Sequence, residues 1–182
     1  LEPVTSPSKH VFNPYPLPKD SDISGYLKFI LETTCNESLI ISGLSTNLWI
    51  TILRMDHFSK EYPQIYEILP NLLEVAASKY IPYECLDEDH TVQKFLQVDF
   101  DSQPDSNNYM NNYKKSLDDI IRITTCKLPK EAIEWLENRL SMFFSSEMGS
   151  KVLNGKRFKY DNGADEAFIY GVSQLNIIEA VI

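Results

Sequence analysis

Four cations cluster near the end of this chain: Lys151, Lys156, Arg157 and Lys159. No acid interrupts the stretch from Lys151 to Tyr160, and Phe158 and Tyr160 are interleaved with the cations. Lys and Arg form strong, charge-assisted hydrogen bonds with phosphate oxygens. The cluster is therefore a candidate phosphate contact, for a phosphorylated protein or for RNA. A solvated basic loop is the competing reading.

A second stretch has the opposite charge. Between residues 82 and 105 the chain carries Glu84, Asp87, Glu88, Asp89, Asp99, Asp101 and Asp105 against a lone Lys94. Asp87, Glu88, Asp89, Asp99 and Asp101 form a candidate docking surface for a basic partner. The bland alternative is a loop whose charges keep an extended protein in solution.

Other chemistry lacks its residues. The histidines, His10, His57 and His90, do not fall at helical spacing from one another or at a ligand-like spacing from a cysteine. Metal sites need clustered ligands, so no metal is expected. Cys35, Cys85 and Cys126 form no CxxC pair and read as reduced, mostly buried thiols. There is no GxSxG elbow, no GxxxxGK[ST] loop and no GxGxxG turn. No cofactor and no catalytic activity are expected.

The whole chain is acidic, with 17 Lys and Arg against 26 Asp and Glu for a net charge of -9. Such a surface repels nucleic acid in general and favours basic partners. No apolar run approaches the ~20 residues of a membrane span. The chain opens on Leu1 and closes at Ile182 inside an apolar helical pattern, which reads as a piece of a longer array.

Helices must position these charges. Residues 1–20 hold five of the ten prolines and read as an extended segment. From there Ile23, Tyr26, Leu27, Ile30 and Leu31 recur at helical spacing, with Ser21 or Asp22 as the cap. Asn36 would cap a second helix, whose stripe is Ile41, Leu44, Leu48, Ile52 and Met55, with Trp49 and Leu53 beside it. So short a turn makes the two helices antiparallel.

A third helix runs from Ile65 to Tyr80, with Pro70 expected to kink or split it. Residues 82–103 read mainly as a long loop, with a short helix near Thr91 to Leu96. A fourth helix opens at Ser102 or Asp105. A fifth begins at Pro129, a favoured first-turn position, and a last one near Asp165 follows irregular residues 146–163. Hairpins at roughly 40-residue intervals are typical of HEAT-type repeats. The expected fold is all-α: residues 21–182 as about three antiparallel helix hairpins of a larger α-solenoid.

The order of these segments also carries a resemblance. Tyr26-Leu27-Lys28-Phe29-Ile30-Leu31, then Ser45-Thr46 with Trp49, then Ile68-Leu69-Pro70-Asn71-Leu72-Leu73 occur in sequence. Val98-Asp99-Phe100-Asp101-Ser102, Lys127-Leu128-Pro129-Lys130, Glu134-Trp135-Leu136 and Leu140-Ser141-Met142-Phe143 follow. The closing segment is Ile178-Glu179-Ala180-Val181-Ile182. Together they resemble the middle repeats of the exportin-5 family of importin-β-like nuclear transport receptors, fungal members in particular.

The resemblance implies HEAT repeats, binding of Ran in its GTP form, and shuttling of cargo between nucleus and cytoplasm past nucleoporins. Fungal members resemble carriers of phosphorylated proteins, and animal members resemble carriers of hairpin RNA. The departures lie in the loops 82–97 and 146–163. Helical spacing alone also fits a non-transport scaffold or adaptor. An all-α hydrolase with dispersed carboxylates is a third reading.

Overall fold

A computed structural model describes residues 20–80, 90–147, 149–150 and 166–182. Among these residues the secondary structure is helical throughout. The helices are α1 (Ile23–Thr34), α2 (Leu39–Arg54), α3 (Asp56–Glu61), α4 (Ile65–Ser78), α5 (Thr91–Asp99), α6 (Gln103–Lys127), α7 (Pro129–Ser145) and α8 (Glu166–Val181). None of them is long and apolar enough to cross a membrane.

Local chemistry starts most of them. Asp22 caps α1 by accepting from the Gly25 amide at 2.8 Å. Ser102 caps α6 by accepting from the Asp105 amide at 3.3 Å, and Pro129 opens α7. Such caps satisfy amides that have no partner within the helix. The cap of α2 lies two residues beyond Asn36, at Ser38. Asn36 instead tightens the preceding turn, its Oδ1 accepting from the Ser38 amide at 2.9 Å. His90 caps α5, its Nδ1 accepting from the Val92 amide at 3.2 Å.

Two expectations concerned Pro70 and residues 82–103. Pro70 lies inside α4 without splitting it. An interior proline costs about 3 kcal/mol. Against this, α4 buries Ile65, Leu69, Leu72 and Leu73, each contributing about 1.5–3 kcal/mol. Pro70 itself is exposed, so its ring displaces nothing in the core. The short helix expected near Thr91 to Leu96 is α5, which runs on to Asp99. The described thiols, Cys35 and Cys126, are exposed rather than buried; Cys85 lies outside the described residues.

The helices form two rows. Helices α1, α4 and α7 pack successively in one row, and α2, α6 and α8 pack in the other. Each row-one helix also packs on a row-two helix, giving three hairpins: α1 with α2, α4 with α6, and α7 with α8. This is a helical-repeat solenoid. The interval from Ile23 to Ile65 keeps the expected period, whereas that from Ile65 to Pro129 is lengthened by α5 and its flanks.

Within the second row α2 and α6 run parallel. Tyr109 OH donates to Leu39 O at 3.0 Å, Ser116 Oγ donates to Asn47 Oδ1 at 3.4 Å, and Arg54 Nη2 meets Asp119 Oδ2 at 2.7 Å. Leu117, Ile120 and Ile121 of α6 are fully buried between the hairpins.

Helix α2 buries Ile52 of its expected stripe with Trp49 and Leu53 beside it, but turns the first three stripe positions outward. Ile41, Leu44 and Leu48 are 42%, 67% and 38% exposed, while Leu39, Ser42, Thr46, Trp49 and Leu53 are buried. Small residues on the inner side let α6 come close. Their hydroxyls are satisfied there, as burial requires. Ser42 Oγ donates to Thr34 O at 2.6 Å and shares a 2.7 Å hydrogen bond with Tyr113 OH. Thr46 Oγ1 donates to Ser42 O at 2.7 Å, and Trp49 Nε1 donates to Thr34 Oγ1 at 3.1 Å.

Two buried phenols make this packing sensitive to alkali. Burial pushes Tyr113 up to about 12, against the pull of its bonds with Ser42 and Thr46. Burial, then the neighbouring Asp118 carboxylate, pushes Tyr80 up to about 12. A phenol raised by folding keeps its proton in the folded chain after the unfolded chain has lost it. Stability therefore falls as pH rises from about 10 to about 12. Denaturant unfolding at stepped pH should show this fall, and Tyr113→Phe should make it shallower. An unchanged slope in that variant refutes the assignment.

Candidate interaction site

The sequence marked two charged stretches, and the structure describes part of one. Asp87, Glu88 and Asp89, and all of Lys151, Lys156, Arg157 and Lys159, lie outside the described residues. Asp99 and Asp101 are described, and the fold uses them differently.

Asp99 ends α5 and is half-buried. Its Oδ2 accepts from Ser38 Oγ at 2.9 Å, across 61 positions of sequence. Ser38 also caps α2, so a carboxylate lies beside that helix's amino end, where the dipole favours negative charge. The next residue, Phe100, packs on Tyr109 with ring centroids 5.1 Å apart. Burial, and then the Asp99 charge, raises the Tyr109 phenol above its ordinary value. On the same edge Lys79 Nζ, just past α4, donates to Asn36 O in the α1–α2 turn. These contacts join the turn of the first hairpin to the connection of the second. Asp99 is thus a structural joint, which limits its freedom to meet a partner.

Asp101 is exposed. It lies on the rim of a groove of about 290 Å³ between α5 and the start of α6, with Gln93, Gln97, Gln103 and Ser102. Amides and hydroxyls there can donate and accept in several directions. The groove is suited to polar recognition, and its Ser102 hydroxyl is engaged by the Asp105 carboxylate at the start of α6. Among the described residues no three His, Cys, Asp or Glu gather in a way that could hold a metal ion.

Sequence reasoning did not find a third cluster. Arg139 of α7 donates from Nη1 to Glu74 Oε1 at 3.1 Å and from Nε to Gln174 Oε1 at 3.1 Å. Trp135 Nε1 donates to Glu74 Oε2 at 2.7 Å, and the Arg139 guanidinium lies 5.5 Å from the Trp135 ring centre. These residues, with Met142 and Phe143, line a groove of about 320 Å³ that ties α4, α7 and α8 together. Their separation along the chain hides them, because no local period links Glu74 to Arg139. The one visible signal was the Trp135–Arg139 pair at i, i+4 on one helix face.

Two rows of stacked hairpins fit many scaffolds. A match over nearly the whole chain distinguishes among them: the profile of the Exportin-5 family covers residues 11–182. This chain belongs to the Exportin-5 family.

Curated relatives agree with that placement. Protein MSN5 of Saccharomyces cerevisiae is 35% identical over 163 residues, 90% of this Exportin-5 family chain and 13% of the yeast protein. An uncharacterised protein of Schizosaccharomyces pombe is 26% identical over 136 residues, 72% of the chain and 11% of that protein. The chain therefore spans about an eighth of the length of these relatives. No solved structure matches.

Proposed function

We propose that the protein containing this chain is a nuclear transport receptor without enzymatic activity, and that this chain forms part of the wall of its HEAT-repeat superhelix. In this reading the receptor binds Ran-GTP, passes nucleoporins and shuttles between nucleus and cytoplasm. It carries phosphorylated proteins or structured RNA. The single observation that supports this is membership of the Exportin-5 family across residues 11–182. The test is to mix the complete protein with Ran loaded with GTP or GDP and look for a cargo-containing complex. A complex that forms equally with either nucleotide, or with neither, would refute the reading.

Two contact surfaces follow within it. Asp87, Glu88, Asp89 and the exposed Asp101 would offer negative charge to a basic partner such as Ran, whereas Asp99 is held by Ser38. Lys151, Lys156, Arg157 and Lys159 offer pairing to phosphate. Replacing Lys156, Arg157 and Lys159 with Ser should weaken phosphorylated cargo by about tenfold or more, since each charge-assisted bond contributes about 1.5–3 kcal/mol. Unphosphorylated cargo should change little. Titration of both cargo forms by fluorescence anisotropy checks this, and equal losses count against a phosphate contact.

A further inference from the structure

Helix α6 lies in the middle of the second row, between α2 and α8, with α4 of the first row against it. Its fourth side is open, and it stays open in a longer array, because each repeat contacts only its neighbours. Four asparagines are exposed on this helix: Asn107, Asn108, Asn111 and Asn112. With about 100° of rotation per residue, Asn108, Asn111 and Asn112 lie about 120° or more round the helix from the buried Leu117. From Gln103 to Asn112 the only charged side chain is Asp105.

An exposed helix side is ordinarily filled with strong helix formers. Asparagine is a weak one, because its amide competes for backbone hydrogen bonds. The fold does not call for these three. Among the described residues no hydrogen bond uses the side chain of Asn108, Asn111 or Asn112. Local rules are broken in this way chiefly at functional positions. Asn107 joins the row to the groove beside α5, its Oδ1 accepting from Gln103 Nε2 at 3.0 Å. Gln93 and Gln97 line that groove with Gln103, so carboxamides continue from it along α6.

A carboxamide holds a donor and an acceptor side by side. A residue in an extended chain presents its N–H and C=O on one edge, and the next to use that edge comes two positions later, about 6.6–6.8 Å on. Asn107 and Asn111, and likewise Asn108 and Asn112, are four residues apart, about 6 Å along the helix. The two repeats agree to within about 0.8 Å. A helical ligand has already paired its main-chain groups. A polyanion is repelled by the net charge of -9 and by Asp101 on the groove rim.

We propose that this carboxamide row binds an extended segment of another protein through its main chain, with little regard to side-chain sequence. The row uses neither the basic cluster nor Ran, so the proposal stands apart from the transport reading.

Disulfide capture reads the row locally in the complete product of this chain's gene. Lys115→Cys sets a thiol about one turn beyond Asn111 and Asn112. In 2-mercaptoethanol exchange it is offered a peptide of about ten residues, alternating alanine and threonine and ending in cysteine. Mixed disulfide at position 115 is measured by mass spectrometry after digestion. The peptide should accumulate at least about tenfold more than the same peptide with every peptide nitrogen methylated. Adding Asn108→Ala, Asn111→Ala and Asn112→Ala to the protein should cut its capture by a similar factor. Equal accumulation in either comparison overturns the proposal. So does a thiol-bearing RNA of similar length captured as well as the peptide. Alanine forms helix better than asparagine, so the triple variant should melt no lower than its parent. A lower melting temperature would mean that the fold itself needs these asparagines, and would overturn the proposal.

Discussion

Replacing Trp49 with Ala should destabilise this chain by about 3–5 kcal/mol, the usual cost of deleting a large buried aromatic. Trp49 is fully buried, the largest such side chain among the described residues, and its indole nitrogen joins α2 to Thr34 of α1. The inner residues of α2 in the preceding turns, Ser42, Ser45 and Thr46, are small and already hydrogen-bonded, so they do not refill the space. For a chain of this length each kcal/mol moves the melting temperature by roughly 2–4 °C. Trp49→Phe separates bulk from bonding. It keeps an aromatic ring and removes the donor to Thr34 Oγ1, which still donates to Ile30 O at 2.8 Å. Its cost should be about 1–2 kcal/mol. Urea unfolding of both variants measures the pair. A loss below about 1 kcal/mol for Trp49→Ala would place Trp49 outside the cooperative core.

The second large effect comes from the smallest residue on the same helix. A Cβ at Gly43 would stand 2.3 Å from the Tyr109 hydroxyl oxygen. That hydroxyl is held by its bond to Leu39 O, and the ring is held against Phe100. Tyr109 cannot yield without losing both contacts. In a free helix Gly→Ala is favourable by about 1 kcal/mol. Here overpacking costs about 1–3 kcal/mol and the broken hydrogen bond about 1 kcal/mol more. Gly43→Ala should therefore be a net loss, and Gly43→Val should cost about 2–3 kcal/mol.

The cause can be isolated. Tyr109→Phe removes the clashing oxygen, so in the Gly43→Ala background it should restore stability although it harms the parent. A double-mutant cycle should give coupling of at least about 1 kcal/mol. Additive losses would mean that α6 does not approach α2 as described. The same strain should loosen α5, which Asp99 and Phe100 anchor to α2 and Tyr109. Local hydrogen exchange in α5 should speed up, which links this packing to the rim that presents Asp101.

These residues also show how much was legible beforehand. The inner face of α1 and the stripe of α4 followed from spacing, because Ile23, Leu27 and Ile30, and likewise Ile65, Ile68, Leu69 and Leu72, are both apolar and buried. The caps Asp22 and Ser102 and the start at Pro129 followed from local hydrogen-bond chemistry. The resemblance to the exportin-5 family rested on the order of several short segments, and the family profile agrees.

On α2 periodicity misled. That helix is apolar on both sides, so spacing alone does not choose between them. Its buried side carries Leu39, Trp49 and Leu53 together with the small Ser42, Gly43 and Thr46, where α6 comes close. The partner's approach distance is not encoded within sixteen residues of α2. The candidate acids show the same limit. Asp99 and Asp101 are alike in the sequence and differ in the fold, one bonded to Ser38 and one exposed.

Local pattern was enough for the helical class, the hairpin order and the family, because caps, 3.6-residue spacing and short turns act over a few residues. Long-range packing alone settled which side of α2 faces inward, that Asp99 is a joint, and that Arg139 meets Glu74 and Gln174. Those outcomes depend on groups 35 to 65 positions apart coming within about 3 Å. No local period carries that information.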